Sequence, residues 1–271
     1  MSNLARQLID RAERRPDSRV TVGQQSTTFA ALLRESAGLA AALMESGLAV
    51  GDRVAVVAQN SMSYLRLWMA LHLAGATPAL INATYPQDLY DQLLESLRPD
   101  WVALDEGLLS QYAERSGRPS IRLHRDDSTT IRGQVIGRAE ATPEACPGIH
   151  QHPSSPAGYM HTSGTTGTPK FLTQSHTYYL ALGSFVADVF ALSADDTVLA
   201  PLPLYHINPL GYGWMSTVMS DASFASMTSF SAHRFWDHCR ATGATVAILH
   251  VAAVEILKRR CSRKDSEGHR L

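Results

Sequence analysis

Apolar residues from Phe29 to Ser46 recur at helical spacing; Thr27 or Thr28 can cap the start and Gly47 can close the end. Gly51-Asp52 then turns the chain into the valine-rich run 53–58, which reads as a strand buried on both faces. Ser61 or Ser63 can cap a second helix that runs through Ala74 and ends at Gly75. Thr77 to Ile81 reads as a second buried strand. After the Tyr85-Pro86 turn, Gln87 to Leu97 is a third helix and Trp101 to Leu104 a third strand. Alternation of strand and helix in this order predicts a parallel sheet with helices packed on its faces.

Between residues 106 and 156 the periodicity weakens and Arg, Asp, Ser, Pro and Gly accumulate, which predicts an irregular connection. His150 and His152 alternate there without a carboxylate or cysteine at ligand spacing, so no metal site is expected. The α/β rhythm resumes at Gly158. Tyr159 to His161 reads as a strand, His176 to about Ala191 as a helix capped by Ser175, and Thr197 to Ala200 as a short strand. Gly211 to Met219 is helical, Ser223 to Met227 is strand-like, and Ala232 to Ala241 is amphipathic with Phe235 and Trp236 inward. A buried strand at Thr245 to Leu249 and a helix to Arg260 follow. Residues 261–271 are polar and uncapped and read as a frayed tail. The expected class is α/β, with mostly parallel sheets and helices on both faces, and there is no internal sequence repeat.

With 271 residues, of which 45% are hydrophobic, the chain can bury a sizeable core. A formal net charge of −1 and only 7% aromatic residues give no support to a nucleic-acid partner. No apolar run is long enough to span a bilayer. Met1 to Ser18 is charged and amphipathic and lacks the apolar core of a secretory signal. Cys146, Cys239 and Cys261 are odd in number and far apart, as expected of free thiols in a reducing cytosol. The expected location is therefore cytoplasmic, and the Asn82-Ala83-Thr84 sequon is read as chance.

The candidate chemistry is concentrated in Thr162-Ser163-Gly164-Thr165-Thr166-Gly167-Thr168-Pro169-Lys170. Gly164 and Gly167 can take positive φ, so that successive backbone N–H groups converge on one anion. Ser163, Thr165, Thr166 and Thr168 add hydroxyl donors, and Lys170 adds a positive charge at the far end. The set suits a pyrophosphate or polyphosphate. Its glycine spacing and lysine position differ from the Walker A pattern.

This string, with Tyr159-Met160-His161 before it, resembles the signature loop of the adenylate-forming (AMP-binding) superfamily, which includes acyl-CoA synthetases, nonribosomal peptide adenylation domains and luciferases. Leu73 to Asn82, Pro201-Leu202-Pro203-Leu204-Tyr205-His206, Phe230 to Trp236 and Gly243-Ala244-Thr245 resemble further segments of that family, and the likeness runs from about Leu4 to Arg260. Asn82, where peptide-synthetase domains commonly have aspartate, leans towards acyl-CoA ligases. The resemblance implies a reaction in two halves. A substrate carboxylate attacks the α-phosphorus of ATP to give an acyl-adenylate and pyrophosphate, and a thiol, usually that of coenzyme A, then takes the acyl group. It implies that the loop holds the β- and γ-phosphates, that Mg2+ accompanies the nucleotide, and that His206 stands beside the substrate carboxylate and α-phosphate.

The pattern also departs from the family. Pro209 stands where many relatives have glycine, and His161 replaces a more usual tyrosine or phenylalanine, read as a change of packing. The later motifs are absent: the Thr-Glu segment whose glutamate helps hold magnesium, the Thr-Gly-Asp segment that binds ribose, and the small C-terminal domain with its catalytic lysine. Residues 1–260 are thus expected to be a partial N-terminal domain. An acid–thiol ligase represented by its front part, an inactive phosphate-binding remnant, and one subunit of a split ligase whose second chain supplies the C-terminal part are all open. The apolar run Ile207 to Met219, with Tyr212 and Trp214, hints at an apolar or aromatic acyl group, with ordinary helix packing as the equal alternative.

Overall fold

A computed structural model of the chain describes residues 2–112, 117–124, 128–137, 139–161, 170–262 and 264–271. In chain order the helices are α1 (Leu4–Arg14), α2 (Phe29–Glu45), α3 (Met62–Ala74), α4 (Gln87–Leu97), α5 (Leu109–Tyr112), α6 (His176–Val189), α7 (Met215–Met219), α8 (Ala232–Thr242) and α9 (Val251–Arg260). The strands are β1 (Arg19–Val22), β2 (Gln25–Thr28), β3 (Arg53–Val57), β4 (Thr77–Ile81), β5 (Trp101–Asp105), β6 (Ser120–Leu123), β7 (Thr129–Ile131), β8 (Gln134–Ile136), β9 (Pro156–His161), β10 (Phe171–Ser175), β11 (Thr197–Leu199), β12 (Ser223–Ser226) and β13 (Val246–Ala247). Among the described residues they form two compact units: Met1–Ile9 with Leu32–Tyr179, and Asp10–Ala31 with Leu180–Leu271. The single partial domain expected over 1–260 is divided in this way.

The first unit carries a sheet of eight described strands in the order β10-β9-β4-β3-β5-β6-β7-β8. Its middle is parallel, from β9 through β4, β3 and β5 to β6. The helices between these strands begin and end where their caps stand. Ser61 accepts the Tyr64 N–H at 3.0 Å to start α3, and Gly75, at φ 80°, ends it. Thr28 accepts the Ala31 N–H at 3.2 Å at the start of α2. The valines of β3 are buried on both faces, as the unbroken apolar run requires. Tyr90, Leu93, Leu94 and Leu97 of α4 pack on Ala55, Val57, Ala79, Ile81, Val102 and Leu104. All thirteen residues of α3 are buried. The chain passes from β3 to its neighbour β4, then back across β3 to β5. Right-handed crossovers in opposite directions put α3 and α4 on opposite faces. The carboxyl ends of β3 and β5, whose onward connections leave in opposite directions, therefore form a topological switch point, the place where open parallel sheets bind ligands.

Within 106–156, expected to be irregular, the structure forms β6, β7 and β8, which extend the sheet by one parallel and two antiparallel pairings. Their three or four residues are too few to show a period. Residues 148–151 are held by close contacts with Asn3 and α3. The Asn3 amide donates to the carbonyls of Gly148, Ile149 and Gln151 at 3.1, 3.1 and 2.7 Å. Gly148 lies so close to the His72 carbonyl that a Cβ would collide with it.

The second unit holds a sheet of five described strands in the order β13-β11-β12-β1-β2. β13, β11, β12 and β1 are parallel, and β1 and β2 form a hairpin turned at Gly23, φ 62°. The hairpin has no counterpart among the sequence expectations, because β2 is Gln-Ser-Thr-Thr and shows no apolar alternation. The strand expected as buried at Thr245 to Leu249 is an edge strand of two half-buried residues. Under the sheet, Trp214 stacks on Phe29 at 5.5 Å and meets the Phe224 ring edge-on at 5.0 Å. Arg11 is fully buried and donates to the carbonyls of Thr217 (2.7 Å), Arg15 (3.1 Å) and Ala222 (2.9 Å) and to Ser18 Oγ (2.9 Å). The segment expected to fray is fastened to α8. Arg240 donates to the carbonyls of Asp265 and Glu267 at 3.0 and 2.8 Å, and His269 stacks on Trp236 at 4.6 Å.

Candidate active site

At the carboxyl edge of the parallel strands of the first unit, β9 leaves the sheet at His161 and β10 returns at Phe171, and these two residues are paired across the antiparallel register. Both roots of the Ser/Thr/Gly string are thus pinned side by side. Thr162, Ser163, Gly164, Thr165, Thr166, Gly167 and Thr168 lie outside the described residues; Lys170 lies within them and is exposed. The Asn82 N–H donates to His161 Nε2 at 3.2 Å, and His161 Nδ1 lies 3.1 Å from the Tyr85 hydroxyl. Asn82 Oδ1 in turn accepts the backbone and hydroxyl groups of Thr84, both at 2.9 Å. His161, expected to alter packing alone, is therefore hydrogen-bonded through both nitrogens. Its place directly before the motif was the signal available in the sequence. At the end of β5, Asp105 accepts the Gln59 N–H at 2.6 Å. Burial pushes its carboxyl above the usual range and the Gln59 bond opposes that.

In the second unit, Ala200 to His206 follow the carboxyl end of β11, and Leu249 and His250 follow that of its parallel neighbour β13. The His206 N–H closes a turn on the Pro203 carbonyl at 3.0 Å, and the Tyr205 and His206 rings lie 4.5 Å apart. The His206 side chain is exposed. Partial desolvation, with a smaller contribution from the like charge of His250, lowers its pKa, so it is neutral at pH 7. His250 Nδ1 accepts the Ala253 N–H at 3.1 Å and caps α9.

The segment after His206 is a π-helix, Asn208–Trp214, a form that recurs at functional sites. Gly213 lets it approach β11, since a Cβ there would meet Ala200 Cβ at 2.6 Å. Trp214 is wholly buried and packs against the Phe29 and Phe224 rings. Tyr212 is half-buried against Val186, Val198, Ala222 and Ile248. Among the described residues there is no group of three or more His, Cys, Asp or Glu side chains that could hold a metal ion. No helix among them is long and apolar enough to cross a membrane.

The family model "AMP-binding enzyme" matches residues 8–270. The chain is 28% identical to the long-chain fatty acid transport protein 2 of Rattus norvegicus, over 91% of its own length and 44% of that protein. It is 32% identical to the medium/long-chain-fatty-acid–CoA ligase FadD6 of Mycobacterium tuberculosis, over 83% of its own length and 38% of that protein. Among solved structures, apo MatB from Rhodopseudomonas palustris superposes with a TM-score of 0.81 at 25% identity, covering 98% of this chain and 53% of that one. The chain thus spans about half the length, or less, of the relatives it matches.

Proposed function

The chain belongs to the AMP-binding enzyme family, and on that premise we propose that it serves ATP-dependent activation of a carboxylic acid. A carboxylate oxygen attacks the α-phosphorus of ATP, the bond from that phosphorus to the α,β-bridging oxygen breaks, and an acyl-adenylate and pyrophosphate result. A thiol, that of coenzyme A in this reading, then attacks the acyl carbonyl and AMP departs.

The observation that carries the reading is the string from Thr162 to Lys170, whose roots His161 and Phe171 are paired at the carboxyl end of a parallel sheet. In the proposal its N–H groups, its hydroxyls and Lys170 hold the β- and γ-phosphates and meet charge as it grows on the leaving pyrophosphate. Such electrostatic stabilisation is the main demand of phosphoryl-type transfer. His206, exposed and neutral, donates one ring N–H towards negative charge at the carboxylate and α-phosphate. Tyr212 and Trp214 are the candidates for the acyl side. The names of the relatives, a fatty-acid transport protein and a medium/long-chain fatty-acid ligase, support an apolar acid.

Lys170→Ala tests the assignment. It should weaken ATP binding by roughly ten- to a hundredfold, the effect of one lost hydrogen bond to a charged group, as read by titration calorimetry. Pyrophosphate release with a panel of carboxylic acids, compared between the chain and the same variant, tests turnover. ATP affinity that is equal in the two proteins would overturn the role given to the loop.

A further inference from the structure

We propose that His161 is a positioning residue that ties the carboxyl end of β9 to the segment following β4 and thereby sets where Lys170 stands. The inference rests on the phosphate-holding role given above to the string that His161 and Lys170 bracket.

The backbone ladder between β4 and β9 covers Ala79 with Tyr159 and Leu80 with Met160. One residue further on, a side chain takes over from the ladder: His161 Nε2 accepts the Asn82 N–H at 3.2 Å. A nitrogen that accepts from a backbone donor bears no proton, so the neutral ring carries its proton on Nδ1. That nitrogen faces the Tyr85 hydroxyl at 3.1 Å, with the two rings 5.0 Å apart. The segment presenting these groups is itself held. Asn82 Oδ1 is engaged by Thr84, and the Tyr85 carbonyl accepts the Tyr112 hydroxyl. The imidazole is thus gripped at both nitrogens by residues 82–85. On its other side His161 is the backbone partner of Phe171, and Lys170 is the residue next to Phe171. A displacement of His161 passes to Lys170 through one backbone pair. A phenylalanine in the same space would present only C–H groups to the Asn82 donor and lose both contacts.

The test uses the whole chain and four variants: His161→Phe, which keeps a ring and loses both bonds; His161→Gln, whose Oε1 stands in for Nε2; Tyr85→Phe, which removes one contact without touching β9; and Lys170→Ala as the reference for lost phosphate binding. Amide exchange at Asn82, affinity for inorganic pyrophosphate and the thermal midpoint are read for each. His161→Phe should speed Asn82 exchange and weaken pyrophosphate binding about tenfold each, as for one lost hydrogen bond, with little change in midpoint. His161→Gln should restore both, and Tyr85→Phe should lose less than His161→Phe. Pyrophosphate affinity unchanged in His161→Phe while Lys170→Ala weakens binding overturns the positioning role and leaves the loop reading intact. A wild-type chain that does not bind pyrophosphate overturns the loop reading and the role together. Asn82 exchange that is unchanged in His161→Phe overturns the tie itself. If His161→Phe does not fold, equal pyrophosphate affinity in His161→Gln, Tyr85→Phe and wild type overturns the role.

Discussion

Acid should unfold the first unit through one pair of buried histidines. His72 is fully buried, its ring meets Trp68 edge-on at 4.2 Å, and neither ring nitrogen has a hydrogen-bond partner among the described residues. His176, 5.9 Å away and also fully buried, accepts the Leu4 N–H on Nδ1 at 3.3 Å and has no partner for Nε2 among the described residues. Desolvation lowers the His72 pKa well below 6.5, with His176 adding to the effect, and lowers that of His176 to about 4. Both rings are therefore neutral in the folded chain, whereas the unfolded chain binds protons as the pH falls below 6.5. Stability is complete above that pH and declines as the pH drops, for His176 until about pH 4. Each pH unit in that window costs about 1.4 kcal/mol per histidine. Between about pH 7.5 and about pH 5, His176 alone should remove about 2 kcal/mol, and His72 adds in the same direction. Urea unfolding at the two pH values measures the loss. His176→Asn keeps an acceptor for Leu4 and cannot titrate. His72→Leu removes two unsatisfied polar atoms and should be neutral or stabilising near neutral pH. The double variant should lose at least about 2 kcal/mol less than wild type on acidification. Equal acid losses in wild type and double variant would refute the reasoning.

Two further outcomes follow from the second unit. Arg11→Met should cost about 3 kcal/mol or more and lower the thermal midpoint, because it leaves the Thr217 and Ala222 carbonyls without their buried donor; calorimetry of the variant is the check. Gly183→Ala should destabilise by urea titration although alanine is favoured in a helix by about 1 kcal/mol, since its Cβ would press into the Met215 carbonyl.

The elements legible in the sequence were those with their own local signal. The α3 boundaries stand in Ser61 and Gly75, and the β3 and β4 runs are apolar because both their faces are covered. What escaped depends on partners remote in sequence. β2 is polar throughout and becomes a strand because β1 pairs with it. β6 to β8 are held by neighbours and not by a period. Residues 264–269, charged and polar, are ordered by Arg240 and Trp236 on a helix more than twenty positions earlier. The candidate site divided in the same way. Thr162 to Lys170 announced itself as a string, while His161 needed the positions of Asn82 and Tyr85 before its nitrogens had partners. Trp214 is an aromatic in an apolar run, and its packing against the Phe29 and Phe224 rings depends on residues that the run itself does not show.

The parallel pairing of β1 with β12 also bears on the order of events during synthesis. Arg19 and Ser223, joined by a hydrogen bond at 3.2 Å, are 204 positions apart. The hairpin of residues 19–28 emerges from the ribosome early and must wait for β12, while the ladder from β3 to β9 can close as it is made. Loop closure of that span falls on the second unit, and proteins dominated by such distant pairings fold slowly. Until β12 arrives, one edge of the hairpin has no strand to meet, and a nascent chain paused before residue 223 carries that edge uncovered.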